Sequence, residues 1–389
     1  SDPFSPAQPG NVFDIMTGSQ AAFVNQYASG GTYTSISTAV PTFSAPAYNT
    51  ISGTALTPRY QEWNLKVQQG FGTKSALILN YVGNHGVHIP VVNGGLNAYC
   101  LAGRCSGPVA ALFPSASPDP MFKTISETTF AGTSNYNGLN ASFQRRFDAG
   151  FTGSINYTWS HALDMVSNGG LEGFGNNSIL GQINPACLRC NNYGNADYDI
   201  RHYISASFVW NTHALNYPYL GAITGGWTFS GNVFWRSGFP YSVTTSLASS
   251  ITNYGGSILG NQIAPVTESC SNPNNPCLAS SEFAPASRPI SSFGSGERNQ
   301  FRGPHFFDTD FAVMKNFHLP LTESSRFSIG AQFFNVFNHP NFDIPVNNLS
   351  SGNFGTIQST VSVPTSVFGS FVGAAASGRI IELHAEVSF

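Results

Sequence analysis

Residues 151–160 read FTGSINYTWS. On an extended chain Phe151, Gly153, Ile155, Tyr157 and Trp159 fall on one side, and Thr152, Ser154, Asn156, Thr158 and Ser160 on the other. Successive side chains of a strand point to opposite faces, so this stretch is a strand with one apolar and one wet face. The stretch before it repeats the pattern, with Leu139, Ala141, Phe143 and Phe147 opposite Asn140, Ser142, Gln144 and Arg146. Asp148-Ala149-Gly150 then joins the two runs as a hairpin.

Seven further runs alternate in the same way. They centre on Trp63–Leu65–Val67, Leu77–Leu79–Tyr81, Ile204–Ala206–Phe208–Trp210, Trp227–Phe229–Val233–Trp235, Phe307–Phe311–Val313–Phe317, Phe327–Ile329–Ala331–Phe333 and Ile381–Leu383–Ala385–Val387–Phe389. Many of these runs last about 10–12 residues, where soluble strands average about 5–6 and a tilted membrane-spanning strand needs about 9–11. Short links at 70–73, 148–150, 211–225 and 319–325 alternate with long ones at 83–135, 164–198, 238–305 and 338–377. Strict short–long alternation puts every long loop on one side of the sheet, the asymmetry of outer-membrane barrels. The expected fold is therefore all-β: part of an antiparallel transmembrane β-barrel of about nine or ten long strands, with long extracellular loops and short periplasmic turns. Residues 1–58 read as a loop-rich segment in which 33–37 is the candidate for an extra strand, and 59–389 as the barrel portion. Nine strands that start outside and end inside would meet in parallel at a seam, so closure calls for that extra strand or for a longer chain.

Composition agrees. Only 9% of the 389 residues are charged while 13% are aromatic, against about 25% charged in an ordinary soluble domain. A formal charge of −3 gives no footprint for nucleic acid. No apolar run is long enough for a transmembrane helix. The chain opens at Ser1 with no charged and apolar leader, which is expected of a mature product or a piece of something longer. Charges on the apolar faces avoid mid-strand: Arg145 and Lys315 lie near periplasmic ends and His202 near an outer end, where a cation costs least.

NYVGNHG (80–86), YNGLNASFQRRF (136–147), NYTWSHALD (156–164) and DYDIRH (197–202) resemble the C-terminal half of TonB-dependent outer-membrane receptors, specifically the Oar-like group with a carboxypeptidase-regulatory-like domain. WRSGFP (235–240), FFNVFNHPNF (333–342) and the terminal Phe389 fit the same group, and the likeness runs from about Tyr60 onward. The resemblance implies a bacterial (Gram-negative) outer-membrane location and uptake of a small-molecule or oligomer ligand. It also implies coupling to a TonB-type energy complex through an N-terminal plug that is not visible here. Phe389 resembles the C-terminal signal read by the barrel assembly machinery.

The cysteines fall as close pairs, Cys100/Cys105, Cys187/Cys190 and Cys270/Cys277, all in long loops, which suggests local disulfides on the oxidising side. Structural zinc is the alternative for the C-x-x-C at 187–190, but it normally needs four ligands and no second close pair follows. Tyr157, Trp159, Trp210, Trp227 and Trp235 lie near strand ends on the apolar face, as an aromatic girdle at the two interfaces would. Asn156, Arg146, Asp308, Asp310, Glu382 and Glu386 read as lumen-facing. Asp197 and Asp199, two apart, read as a pair on one wet strand face. No nucleophile elbow, P-loop, zincin motif or dinucleotide fingerprint occurs, so neither catalysis nor a cofactor is expected. The competing functions are a secreted β-sandwich that binds a surface or polymer and a plug-less porin-like channel.

Overall fold

The computed structural model describes residues 25–32, 35, 47–148, 150–165, 167, 182–270, 275–320, 325–361 and 378–388. Nine long strands form one sheet: β1 (Arg59–Phe71), β2 (Ser75–Asn93), β3 (Ile125–Asp148), β4 (Phe151–Asp164), β5 (His202–Asn211), β6 (Trp227–Arg236), β7 (Phe306–His318), β8 (Arg326–Phe334) and β9 (Ile380–Ser388). Each pairs with its neighbour in sequence, always antiparallel, so the sheet is a meander with β1 and β9 as its open edges. The expected strand 33–37 lies outside the described residues apart from Ser35. A short strand at Tyr48–Ile51 pairs instead, parallel to Ile125–Thr128 at the outer end of β3.

The register keeps every apolar face on one side. The row Leu65–Tyr81–Leu139–Trp159–His202 crosses five strands in step, as does Phe143–Ile155–Ala206–Val233–Thr309 farther down, whose last member is the one polar side chain in it. Large side chains on this face remain exposed: Leu65 is 66%, Ile155 55% and Leu383 87% accessible. A contiguous apolar surface of this extent has no place in water and is the surface that a barrel turns to lipid. The opposite face carries a cross-strand polar ladder. Asn140 donates to Thr158 Oγ1 at 2.9 Å, Ser154 and Ser207 share a 3.0 Å bond, and Ser328 donates to Asn316 Oδ1 at 2.7 Å. Lys315, on the apolar face at the inner end of β7, is capped by the carbonyls of Ile223 and Gly225 and lies over the Trp227 ring.

All five tryptophans stand at two levels. Trp210 and Trp227 sit at the inner ends of β5 and β6, while Trp63, Trp159 and Trp235 each lie eight residues from the inner end of their own strand. Rings near both levels stack across strands, as Trp210 and Phe229 do at 5.6 Å and Phe317 and Phe327 at 6.1 Å. Trp63 lies flat over Gly83, where a Cβ would meet the ring at 2.2–2.5 Å. That glycine is a packing requirement of the apolar face.

The outer ends depart from expectation. The sequence places one long loop over 83–135, yet β2 continues to Asn93 and β3 starts at Ile125. Register shifts fall between Gly86 and Ile89 and between Ile89 and Val91, and His88 takes a positive φ of 59°. Each bulge moves the chain out of strict alternation. Ile89 and Val91 are buried beneath loops here rather than facing lipid, so the two-residue period that marks the lower strand is lost just where the strand leaves the membrane.

Candidate functional site

The buried core of the described residues lies mainly in the outer loops, not in the sheet. Among the described residues, 94–124, 182–201, 237–270, 275–305 and 335–361 fold together into a cap. One apolar cluster gathers Val109, Phe113, Ile183, Ile251, Leu259 and Phe293 from three loops. A second holds Tyr241, Val243, Leu278, Phe283, Phe301 and Phe354. Removing such side chains from water is worth roughly 1.5–3 kcal/mol each, enough to make the loops a packed body.

Between cap and sheet lies a buried charge network built on Arg298. Its guanidinium, 1% exposed, donates to the Asn192 carbonyl at 2.8 Å, the Ser167 carbonyl at 3.0 Å, the Ser167 hydroxyl at 2.6 Å, the Asp164 carbonyl at 2.7 Å and the Asp164 carboxylate. Asp197 stands 3.6 Å from the same guanidinium and also accepts from Asn299 Nδ2 at 2.6 Å. Asn299, fully buried, receives Ser242 and donates to the Asn195 carbonyl. A few residues on, Arg302 pairs with Asp199, whose carboxylate also takes Arg201 at 3.3 Å and the backbone N–H of Ala162 at 2.7 Å. Ions so far out of water persist only when paired and fully hydrogen-bonded. The network therefore pins the 182–201 loop and the 237–305 loop to the outer end of β4.

This corrects the reading of Asp197 and Asp199 as a pair on a wet strand face. They lie in the loop before β5 and turn inward to arginines 100 residues later in the chain, contacts that no local spacing reveals. Asp164, Arg298, Arg302 and Asn299 were not singled out from the sequence. The only local signal was the density of Asp, Asn and Arg around NADYDIRH and GERNQFRG.

Beside this network a cleft of about 370 Å³ opens on the polar face. Tyr60, Glu62, Asn84, Tyr136, Asp164 and Tyr198 line it. Glu62 accepts from Asn84 at 2.9 Å. Burial first, then the adjacent Asp164 carboxylate, pushes the Tyr198 phenol well above its ordinary range, so it stays a neutral donor. Three phenols with carboxylate and amide groups between them suit a ligand with apolar faces and polar edges. Deeper in the cap, burial raises the Glu268 carboxyl, opposed by the Arg302 backbone N–H and the Tyr241 hydroxyl, both of which donate to it.

The cysteines join as Cys100–Cys105, Cys187–Cys190 and Cys270–Cys277, all in the cap. No group of three or more metal-ligating side chains occurs among the described residues. Asn156 lies on the polar face, bonded to Ser205 at 3.5 Å. Asp310 also lies there and accepts from the Asn335 backbone at 3.1 Å, and Asp308 is buried beside it. Glu382 and Glu386 are on the polar side of the edge strand β9, with Glu386 3.3 Å from His384. Arg146 is exposed at the inner rim, where its backbone N–H bonds Lys74 O at 2.7 Å. Tyr157 and Trp159 are on the apolar face with Trp210, Trp227 and Trp235, and Tyr157 bonds His202 at 2.9 Å. Trp63, missed in the sequence-based set, shares their face and the outer level of Trp159 and Trp235. Phe389 lies outside the described residues.

A family match agrees with this architecture: residues 3–368 fit the outer membrane beta barrel domain family. The chain belongs to that family. The protein is thus a bacterial outer-membrane β-barrel protein, its apolar face in lipid and its cap outside. Among solved structures it resembles the outer membrane transporter YddB from Escherichia coli, at 10% identity and a TM-score of 0.44, over 88% of this chain. The chain spans about a third (34%) of that transporter's length. No curated protein sequence matches.

Proposed function

We propose that this barrel portion belongs to a TonB-dependent receptor of the Oar-like type, which captures a ligand at the cap and takes it up through the polar interior. The observation that carries the reading is the packed, charge-pinned cap standing over a polar sheet face, with an aromatic and acidic cleft where the two meet. A passive pore needs no such body of loops. Energy would come from a TonB-type complex acting on a plug, and insertion from the barrel assembly machinery reading Phe389. The lipid contacts would be made by two aromatic levels, Trp210 and Trp227 on the inner side and Trp63, Tyr157, Trp159 and Trp235 on the outer. No residue is assigned a catalytic role and no cofactor is assigned. The test is uptake by cells carrying the complete gene, with and without TonB. Loss of uptake in the TonB-deficient strain is expected. TonB-independent uptake, together with steady conductance in a planar bilayer, overturns this reading in favour of a passive channel, and recovery as a detergent-free soluble protein overturns the membrane placement.

A further inference from the structure

Among the short inner links, 72–74 reads Gly-Thr-Lys and 148–150 reads Asp-Ala-Gly, polar turns suited to water. The link between β5 and β6 is different. Residues 212–226 read THALNYPYLGAITGG, with no Lys, Arg, Asp or Glu, and they include a short helix, Pro218–Thr224. Leu215, Tyr217, Leu220 and Ile223 are each at least half exposed. Leu220 and Ile223, three apart on the helix, share one face. Four large apolar side chains held open at one turn mark a contact surface rather than a turn made for water.

The turn is tightly built. A Cβ at Gly221 would meet the Leu215 carbonyl at 2.6 Å, and one at Gly225 would meet Ala214 at 2.7–3.1 Å, so the bare glycine side of the helix lies against the incoming chain. The Thr224 hydroxyl accepts from the Leu215 backbone N–H at 3.2 Å, and Thr212 donates to the Thr224 carbonyl at 2.7 Å. Two side chains of the apolar face fix where the helix stands. The Trp227 indole donates to the Ile223 carbonyl at 2.7 Å. The Lys315 ammonium, lying over that ring, donates to the same carbonyl at 3.3 Å and to the Gly225 carbonyl. A cation and an indole N–H are favourable partners for the carbonyl end of a helix. Trp227 and Lys315 are registered neighbours on the lipid-facing side, so the helix end they hold is on that side too, at the level of the inner tryptophans. β6 lies between β5 and β7 inside the sheet, so strands added at the open edges cannot cover this turn.

We infer that the 212–226 turn is a foot embedded in the inner leaflet of the outer membrane, where phospholipid at the boundary of headgroups and acyl chains covers Leu215, Tyr217, Leu220 and Ile223. Continuity selects that occupant: the patch extends the lipid-facing surface of the sheet from the Trp227 ring onto the turn, which has no charged residue of its own. Interfacial helices bury their apolar face about 5–10 Å into that boundary. Such a foot fixes the depth of β5 and β6 in the bilayer.

The experiment is nitroxide accessibility in the full-length protein reconstituted into phosphatidylethanolamine–phosphatidylglycerol vesicles. The six cysteines of this chain are disulfide-bonded, so a single added thiol takes the label. Labels go at L220C and I223C, with T73C on a polar inner turn as the water reference and L65C on the apolar face as the lipid reference. All four positions are exposed, so the label displaces no packed side chain. The ratio of collisions with oxygen to collisions with a water-soluble nickel chelate should be at least about fivefold higher at 220 and 223 than at 73, and within about twofold of that at 65. Ratios at 220 and 223 equal to that at 73 overturn the inference, because the turn then stands in water and its patch serves a periplasmic protein. A label at 65 that is also in water overturns the membrane placement itself, and the inference with it.

Discussion

Replacing Arg298 with methionine tests whether the cap is a body held on by buried charge. Methionine keeps much of the volume but removes every donor. Asp164, whose side chain is 2% exposed, and Asp197, 12% exposed, are left without their shared cation. The carbonyls of Asn192, Ser167 and Asp164 lose their partner as well. Breaking one side of a buried ion pair costs about 3–5 kcal/mol. A loop body that opens locally should then open roughly a hundred to several thousand times more often, because each 1.4 kcal/mol is about tenfold. Hydrogen exchange read by mass spectrometry on the protein in micelles is the assay. Amides in 182–201, 239–270 and 275–302 should exchange at least about 100-fold faster, while 151–160 and 227–236, held by the strand ladder, should not change. Removing the stranded carboxylates too, in R298M/D164N/D197N, should recover part of the loss. Loop amides as slow in R298M as in the parent refute the pinning argument. Equal acceleration in loops and sheet refutes the claim that the cap opens on its own.

The remaining predictions bear on single contacts. Gly83→Ala puts a Cβ into the Trp63 ring; it should cost about 1–3 kcal/mol and shift tryptophan emission, and unchanged emission means that the ring does not rest there. Glu268 has a raised folded pKa, so its contribution to cap stability is fully present below the ordinary glutamate value of 4.5 and is lost as pH rises through the folded value. Cap protection, with exchange corrected for its intrinsic base-catalysed rate, should accordingly fall from acid toward neutral pH, and Glu268→Gln should flatten that slope; an identical slope in the variant refutes the assignment. Deleting Phe389 should lower the amount of assembled barrel in the outer membrane without altering synthesis, as heat-modifiable migration on gels reads out, and normal levels remove its role as an assembly signal. Excising 261–281 is too blunt to probe ligand capture, because Leu278 is core and Glu268 binds the Arg302 backbone; Ile263, 64% exposed, is the better probe, and Ile263→Asp should change capture without unfolding the cap.

Much of the sheet was legible because a strand between lipid and water must repeat every two residues, and the repeat survives without knowledge of any partner. FTGSINYTWS shows this at a glance, and the short inner links give the meander order. Legibility stopped at Gly86, where bulges end the alternation, and in the loops, where nothing periodic constrains the residues. Arg298 reads locally as one basic residue in a polar stretch. It becomes the node of the cap only because the 182–201 loop folds over it.

The amino-acid order alone determined where the alternating inner parts of the strands lie, which face of each is apolar and which side bears the long loops, since all three follow from local chemistry at a two-residue period; the outer parts of β2 and β3 escaped it. The tertiary structure alone decided that those loops form a packed cap around Arg298, Asp164 and Asp199. It also decided that tryptophans far apart in the chain share two levels. Both depend on register between strands and on contacts about 100 residues apart, and those are settled by the simultaneous packing of the whole chain.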